Sequence, residues 1–315
     1  MMLTVGGVAQ PKENRNNAEP ASFGGYHPAK KRGYCLEKSL FNTWLNRWGL
    51  TPDGEPFETH TSQLLPVVAI KEGQKSILKL TDDDSERSGC ELMVWWNGNG
   101  AAKVLAHATG AILLERATGT GSLADMSWTG NDAQACRIIC HAASRLHLPR
   151  NASTPELTPL HHWFRDLAPA AKKYGGILTR CAKVADVLLS SPLNEVVLHG
   201  DLHHGNILDF GAKGWLAIDP KGLVGERGFD YANIFTNPDL ADPSRPVAIE
   251  PERFTQRVNI VSETARIERQ RLLMWIIAWC GLSSAWFLQE GDCASVPLRI
   301  AELAMAELAS GGNQL

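Results

Sequence analysis

Residues 196–233 read VVLHGDLHHGNILDFGAKGWLAIDPKGLVGERGFDYAN, brief apolar runs alternating with polar loops. Val196, Val197 and Leu198 form a short strand that delivers His199, Gly200 and Asp201 into a loop. Ile207 and Leu208 begin a second strand, and residues 215–218 a third that ends at Asp219. Short strands joined in this way bring their ends together. Asp201, Asn206 and Asp219 therefore converge: one carboxylate, one amide and a second carboxylate.

Phosphoryl transfer from a nucleotide needs such a trio. Its acceptor hydroxyl must be oriented and relieved of a proton, which Asp201 can do. Its triphosphate must be neutralised by magnesium, for which Asn206 and Asp219 supply hard oxygen ligands. The spacing from Asp201 to Asn206 matches the protein-kinase catalytic loop, and Ile218-Asp219-Pro220 stands where kinases carry Asp-Phe-Gly.

The stretches HGDLHHGNIL (199–208), WLAIDPKGL (215–223) and ERGFDYAN (226–233) resemble the aminoglycoside phosphotransferase class of kinase-like enzymes. Within that class they look like the streptomycin 6-kinase and hydroxyurea phosphotransferase branch, over residues from about 36 to 290. The resemblance implies an α+β, bilobal protein-kinase-like fold with a small β-rich N-lobe and a mostly helical C-lobe. It also implies ATP with Mg2+, and transfer of the γ-phosphate to a hydroxyl of a small molecule, either a cationic streptomycin-type aminoglycoside or hydroxyurea. Carried over by position, Lys79 holds the α and β phosphates, and Glu86 in SERSGCELMVWW (85–96) is its partner, with Glu91 as the alternative. Backbone groups of Glu115 and Ala117 meet the adenine edge. Asp230 and His199 brace the catalytic loop without touching substrate.

The sequence departs from the protein-kinase pattern at 59–66, THTSQLLP, where a glycine-rich loop would cover the nucleotide. Phosphate contacts there fall to the backbone and hydroxyls around Thr61, Ser62 and Gln63. Two rival readings use the same residues: a housekeeping kinase for a sugar or amino-alcohol, and a nucleotide-binding regulator without turnover. A pure binding module has no need of the base, so the intact trio argues against the second.

Upstream, Leu36, Leu40, Phe41, Trp44, Leu45 and Trp48 recur at helical spacing and stop at Gly49. Residues 63–70 and 75–80 read as a β-hairpin presenting Lys79, and Asp82, Asp83 and Asp84 load the start of a helix running to about Asn97. A strand at 111–115 leads into the link Arg116 to Gly119, a domain boundary. Helical patterning follows at 132–148 and 168–189. The organisation expected is a loose extension over 1–34, a nucleotide-binding N-lobe over 35–117, and a C-lobe over 118–315 with the catalytic loop and acceptor site.

At 315 residues, and roughly 150 per domain, two domains are expected. Lys plus Arg is 31 against 34 for Asp plus Glu, a net charge of −3 with no basic surplus for nucleic acid. Seven scattered cysteines without a CxxC pair suit reduced thiols in the cytoplasm, with Cys136 and Cys140 as small buried side chains. No signal peptide is expected from the first residues. The apolar run 272–288 is shorter than the ~20 residues of a membrane span and reads as a core helix. Its Trp275, Trp279 and Trp286 are read as core, with the wall of an acceptor pocket as the alternative. Glu226, Asp239, Glu290 and Asp292 are read singly as solvated charges, with ammonium binding as the alternative. Adjacent histidines at 203–204 and 161–162 point to different sides and do not make a metal site. Neither a dinucleotide-binding GxGxxG unit nor a hydrolase GxSxG elbow is present.

Overall fold

The computed structural model describes residues 39–59, 61–81 and 84–311. The extension expected over 1–34, Leu36 of the first helix, His60, and the acids Asp82 and Asp83 lie outside the described residues.

In the N-lobe, α1 (Ser39–Trp48) packs against a six-stranded sheet of β1 (Leu50–Pro52), β2 (Phe57–Glu58), β3 (Gln63–Ala69), β4 (Lys75–Leu80), β5 (Val104–Ala108) and β6 (Ala111–Glu115). The order is β1-β3-β4-β6-β5, with β2 alongside β3, and the pairs are antiparallel. Side chains alternate across a strand, and the alternation separates two tasks here. Leu65, Val67, Leu78, Ala111 and Leu113 pack with Phe41 of α1. Their neighbours Leu64, Ile77, Lys79, Ile112 and Leu114 line the cleft on the other face. A slip of one residue would exchange a buried lysine for a leucine, so the register fixes the site. Leu40, expected on the apolar face of α1, is exposed.

Helix α2 (Asp84–Trp96) lies on the cleft side of the sheet, with Gly89, Cys90 and Met93 lining the same cleft as Lys79, and the chain passes to the C-lobe after Glu115. There α3 (Leu123–Trp128) and α4 (Asp132–Leu146) precede β7 (Thr158–Pro159), α5 (Leu160–Trp163), α6 (Leu167–Tyr174) and α7 (Ile177–Ser190). The helical patterning read over 168–189 falls into two helices. Gly175 and Gly176 both take positive φ (65° and 58°), which ends one helix and starts the other. Cys136 and Cys140 face the core, and burial pushes the Cys136 thiol up to about 12.

Then come β8 (Glu195–Leu198), β9 (Ile207–Asp209), β10 (Trp215–Ala217), β11 (Leu223–Glu226), α8 (Gly228–Ala232), α9 (Pro251–Ala265), α10 (Arg269–Glu290) and α11 (Ser295–Ser310). At 22 residues α10 is long and apolar enough to cross a membrane, yet 78% of its apolar window is buried inside the lobe. It is the core helix expected, extended by polar turns at both ends. Arg257 of α9, fully buried, forms a two-pronged pair with Asp132 of α4 (2.9 and 2.7 Å) and donates to the carbonyls of Ile234 and Asn237.

Candidate active site

The three strand ends read from the sequence do converge. The hairpin of β9 and β10 carries Asn206 and Ile218 at its open end, joined by Ile218 N–H donating to Asn206 O at 2.9 Å. Antiparallel pairing of β8 with β11 sets His199 beside Lys221, whose backbone N–H donates to His199 O at 2.7 Å. Asn206 Nδ2 donates to Asp201 O (2.8 Å) and Asp201 Oδ2 (3.2 Å), which fixes both side chains. Its Oδ1 is buried without a hydrogen-bond partner. Asp219 holds a left-handed backbone (φ 60°), a conformation uncommon for a non-glycine residue and concentrated at functional sites.

Asp230 lies beneath the loop and is fully buried. It accepts from the N–H groups of His199 (2.9 Å) and Gly200 (2.8 Å) and bonds His147 Nε2 (2.8 Å). Burial alone would raise its pKa, but the His147 bond and the nearby rings hold it below the ordinary value. His199 accepts from Asp201 N–H at Nδ1 (3.2 Å), so Nε2 carries the proton and donates to Ile218 O (2.8 Å). One imidazole thus ties the Asp201 loop to the strand end preceding Asp219.

Lys79 donates to Glu86 at 2.6 Å and to Asp219. Glu86, not Glu91, is therefore the partner within α2. Burial works against the Lys79 ammonium, but the Asp219 and Glu86 carboxylates outweigh it and raise its pKa. Asp219, despite burial, is held well below the ordinary carboxylate range by Lys79 and Lys221. The approach of α2 depends on Gly89: a Cβ there would sit 2.0 Å from Pro220 O, so any larger residue would push Glu86 away from the lysine.

Two cavities flank this cluster, one lined by Asp219 and Pro220 and the other by Asp201 and Lys221. The first, about 640 Å³, is lined by Leu64, Ile77, Leu114, Leu208 and Ile218, with Lys79 and Asp219 at its polar end and Glu115 and Ala117 at the interlobe strand. The Glu115 N–H is taken by Lys103 O at 2.9 Å, so an adenine contact from this backbone falls to its carbonyl or to Ala117. The Glu115 side chain is more constrained than the sequence indicates: it accepts from Lys103 N–H at 2.8 Å and pairs with Lys213. Thr59 lines this cavity, and Ser62 Oγ is buried without a hydrogen-bond partner.

The second cavity, about 450 Å³, holds Asp201, His203, Lys221, Asn237 and three tryptophans, Trp163, Trp279 and Trp286. Trp275 is core, donating to Glu226 at 2.7 Å, whereas Trp279, also part of the core, and Trp286, packed against it, both line the cavity as well. The acids expected as solvated charges also divide. Glu226 is buried and paired with Arg271, and Asp239 is buried beneath the N–H groups of Val247, Ala248 and Ile249. Glu290 and Asp292 are exposed. Lys221 and Trp163 escaped the sequence reading. Lys221 follows Asp219 by two residues, the one signal that could have found it, whereas Trp163 carried none.

His199, His203 and His204 are buried, and burial holds all three below the ordinary histidine pKa. No hydrogen bond reaches either ring nitrogen of His204. Above pH ~6.5 these groups are neutral in both folded and unfolded chains and contribute nothing to pH dependence. Below it the unfolded chain binds protons that the folded one does not, so stability falls with falling pH, by up to about 1.4 kcal/mol per unit for each histidine. Urea unfolding between pH 7.5 and 5.5 should show this loss, with a shallower slope in His204→Leu. An equal slope would place the proton uptake elsewhere.

A β-rich lobe over a helical one, with a lysine–glutamate pair facing an Asp–Asn–Asp cluster, defines a kinase-like phosphotransferase. The chain belongs to the aminoglycoside/hydroxyurea antibiotic resistance kinase family, whose profile matches residues 47–291. It is 53% identical over 248 residues to the streptomycin 3''-kinase of Klebsiella pneumoniae, covering 78% of this chain and 92% of that one. It is 27% identical to the streptomycin 6-kinase of Streptomyces glaucescens (83% and 86% covered) and 28% identical to the hydroxyurea phosphotransferase of Kitasatospora aureofaciens (85% and 77%). Among solved structures, the amicoumacin kinase hAmiN aligns with a TM-score of 0.60 at 14% identity, covering 88% of this chain and 94% of that one. The aminoglycoside phosphotransferase APH(4)-Ia aligns with a TM-score of 0.60 at 11% identity (88% and 99%), and both confirm the bilobal fold. The chain is thus an antibiotic-resistance kinase, a phosphotransferase with a hydroxyl group as acceptor.

Proposed function

We propose that this enzyme moves the γ-phosphoryl group of ATP to the 3''-hydroxyl of streptomycin. The observation that carries the reading is a cavity on each side of the Asp219–Lys221 segment, with Lys79 and Asp219 lining one and Asp201 and Lys221 lining the other. The 53% identity to a streptomycin 3''-kinase, against 27% to a 6-kinase, favours the 3'' position.

In this reading the apolar first cavity takes the adenine, and Lys79 holds the α and β phosphates. Asp201 accepts the proton of the acceptor hydroxyl as its oxygen bonds the γ-phosphorus and the bond from that phosphorus to the leaving ADP oxygen breaks. The free, buried Asn206 Oδ1 and the Asp219 carboxylate suit a hard divalent cation, which binds through few protein oxygens and completes its shell with phosphates and water. When bound, Mg2+ supplies neutralisation of the triphosphate charge. His199 and Asp230 position the loop. The tryptophan faces of the second cavity suit the guanidinium groups of streptomycin through cation–π attraction, and Trp163 Nε1, buried without a hydrogen-bond partner, offers a donor to a sugar oxygen. We place the reaction in the cytoplasm, which suits the free, mostly buried cysteines.

A coupled ADP-release assay with streptomycin, other aminoglycosides, hydroxyurea and amino-alcohols tests this, with the product located by phosphorus NMR. Phosphate on the 3''-hydroxyl of streptomycin is the expected result. Phosphate on another hydroxyl, or turnover with hydroxyurea alone, would overturn it.

A further inference from the structure

Lys79 and Lys221 share two carboxylates in a closed ring of alternating charge. Lys79 pairs with Glu86 Oε2 (2.6 Å) and Asp219 Oδ1; Lys221 pairs with Glu86 Oε1 (3.0 Å) and Asp219 Oδ2 (3.4 Å). The two ammonium groups differ in what they face. Lys79 lines the nucleotide-side cavity, whereas Lys221 lines the tryptophan cavity together with Asp201. The backbone of Lys221 is held on both sides, by its N–H to His199 O and by Gly222, where a Cβ would lie 2.6 Å from the Ser88 side chain of α2. Its position is therefore built, and its side chain carries the ammonium to both carboxylates.

A lysine needed only to neutralise Glu86 would duplicate Lys79. Lys221 instead bonds the carboxylate assigned to the metal and lines the same cavity as the carboxylate assigned as base. Its longer contact is with Asp219 and its shorter with Glu86, so release from Asp219 leaves it anchored.

We propose that Lys221 is a catalytic residue whose ammonium contacts the transferring phosphoryl group. The assignment rests on the phosphotransferase reading above. As the acceptor oxygen bonds phosphorus, the bond to the leaving oxygen breaks and the hydroxyl proton passes to Asp201, negative charge spreads over the phosphoryl oxygens. Lys221 stabilises that charge and keeps its own proton throughout.

The test compares wild type with Lys221→Met, Lys221→Gln and Lys221→Arg. Steady-state kinetics with streptomycin and ATP, basal ATP hydrolysis, thermal melting, and calorimetric binding of Mg2+·AMP-PNP and of ADP with aluminium fluoride are measured together. Lys221→Met should lower kcat by about 10²–10³-fold. It should leave AMP-PNP affinity within a few-fold and weaken the aluminium fluoride complex, which mimics the transferring group, by a factor similar to the loss in kcat. Lys221→Arg should recover part of both. Unchanged kcat, or losses of AMP-PNP and aluminium fluoride binding that match each other, would overturn the proposal. Should Lys221→Met not fold, the same comparison in Lys221→Gln and Lys221→Arg decides. If wild type leaves streptomycin unmodified, the acceptor assignment fails, and basal ATP hydrolysis with aluminium fluoride binding still judges Lys221.

Discussion

Asp201→Asn will bind nucleotide and fail to transfer phosphate, with kcat reduced by about 10²–10⁴-fold, the range for loss of a positioned base. The substitution keeps the shape of the side chain and an oxygen for Asn206 Nδ2, which lies 3.2 Å from Asp201 Oδ2 in the native enzyme. What it removes is the capacity to take a proton. Asp201 lines the tryptophan cavity and not the one proposed for adenine, so AMP-PNP affinity should stay within a few-fold of wild type. Turnover close to wild type would show that another group accepts the proton. The side chain of His203 is the nearest alternative on the acceptor side, its Nε2 lying 3.8 Å from Asp201 Oδ1 without a hydrogen bond.

Asp230→Ala should cost on the order of 3–5 kcal/mol of stability, because it strands buried donors whose desolvation is no longer offset. The N–H groups of His199 and Gly200, both buried, and the ring of the partly buried His147 all converge on this carboxylate. Urea unfolding measures the loss directly, and a change below about 1 kcal/mol would mean that the loop finds other acceptors. The activity of any folded fraction should fall too, since Asp201 is the second residue after His199 in the loop that Asp230 holds. Asp230→Asn, which keeps one acceptor oxygen, should lie between wild type and Ala on both measures.

The catalytic segment was legible because its logic is local. Asp201 and Asn206 are separated by one short loop, and β9 and β10 form a tight hairpin, so residue spacing nearly determines distance. The alternation of Leu64, Ile77 and Lys79 against Leu65 and Leu78 likewise follows from strand periodicity. Strands β1, β2 and β5 were missed because they are short, polar or interrupted, and they pair only once β3 and β6 exist to receive them. The choice between Glu86 and Glu91 was not readable either. Both sit on α2, and only the close approach at Gly89 decides which carboxylate reaches the sheet.

The linear chain thus determined which groups meet at the strand ends, Asp201, Asn206 and Asp219, and which strands carry them. Tertiary structure alone decided the tryptophan cavity. Trp163, Trp279 and Trp286 come from two helices more than a hundred residues apart and share a wall with Asp201 only after α5 and α10 pack together. Packing likewise turned Glu226 toward Arg271 and Trp275 of α10 and Asp239 toward the N–H groups of Val247, Ala248 and Ile249. Side-chain burial depends on what the rest of the chain brings alongside, and helical periodicity fixes the face a residue occupies without saying whether that face meets core or cavity.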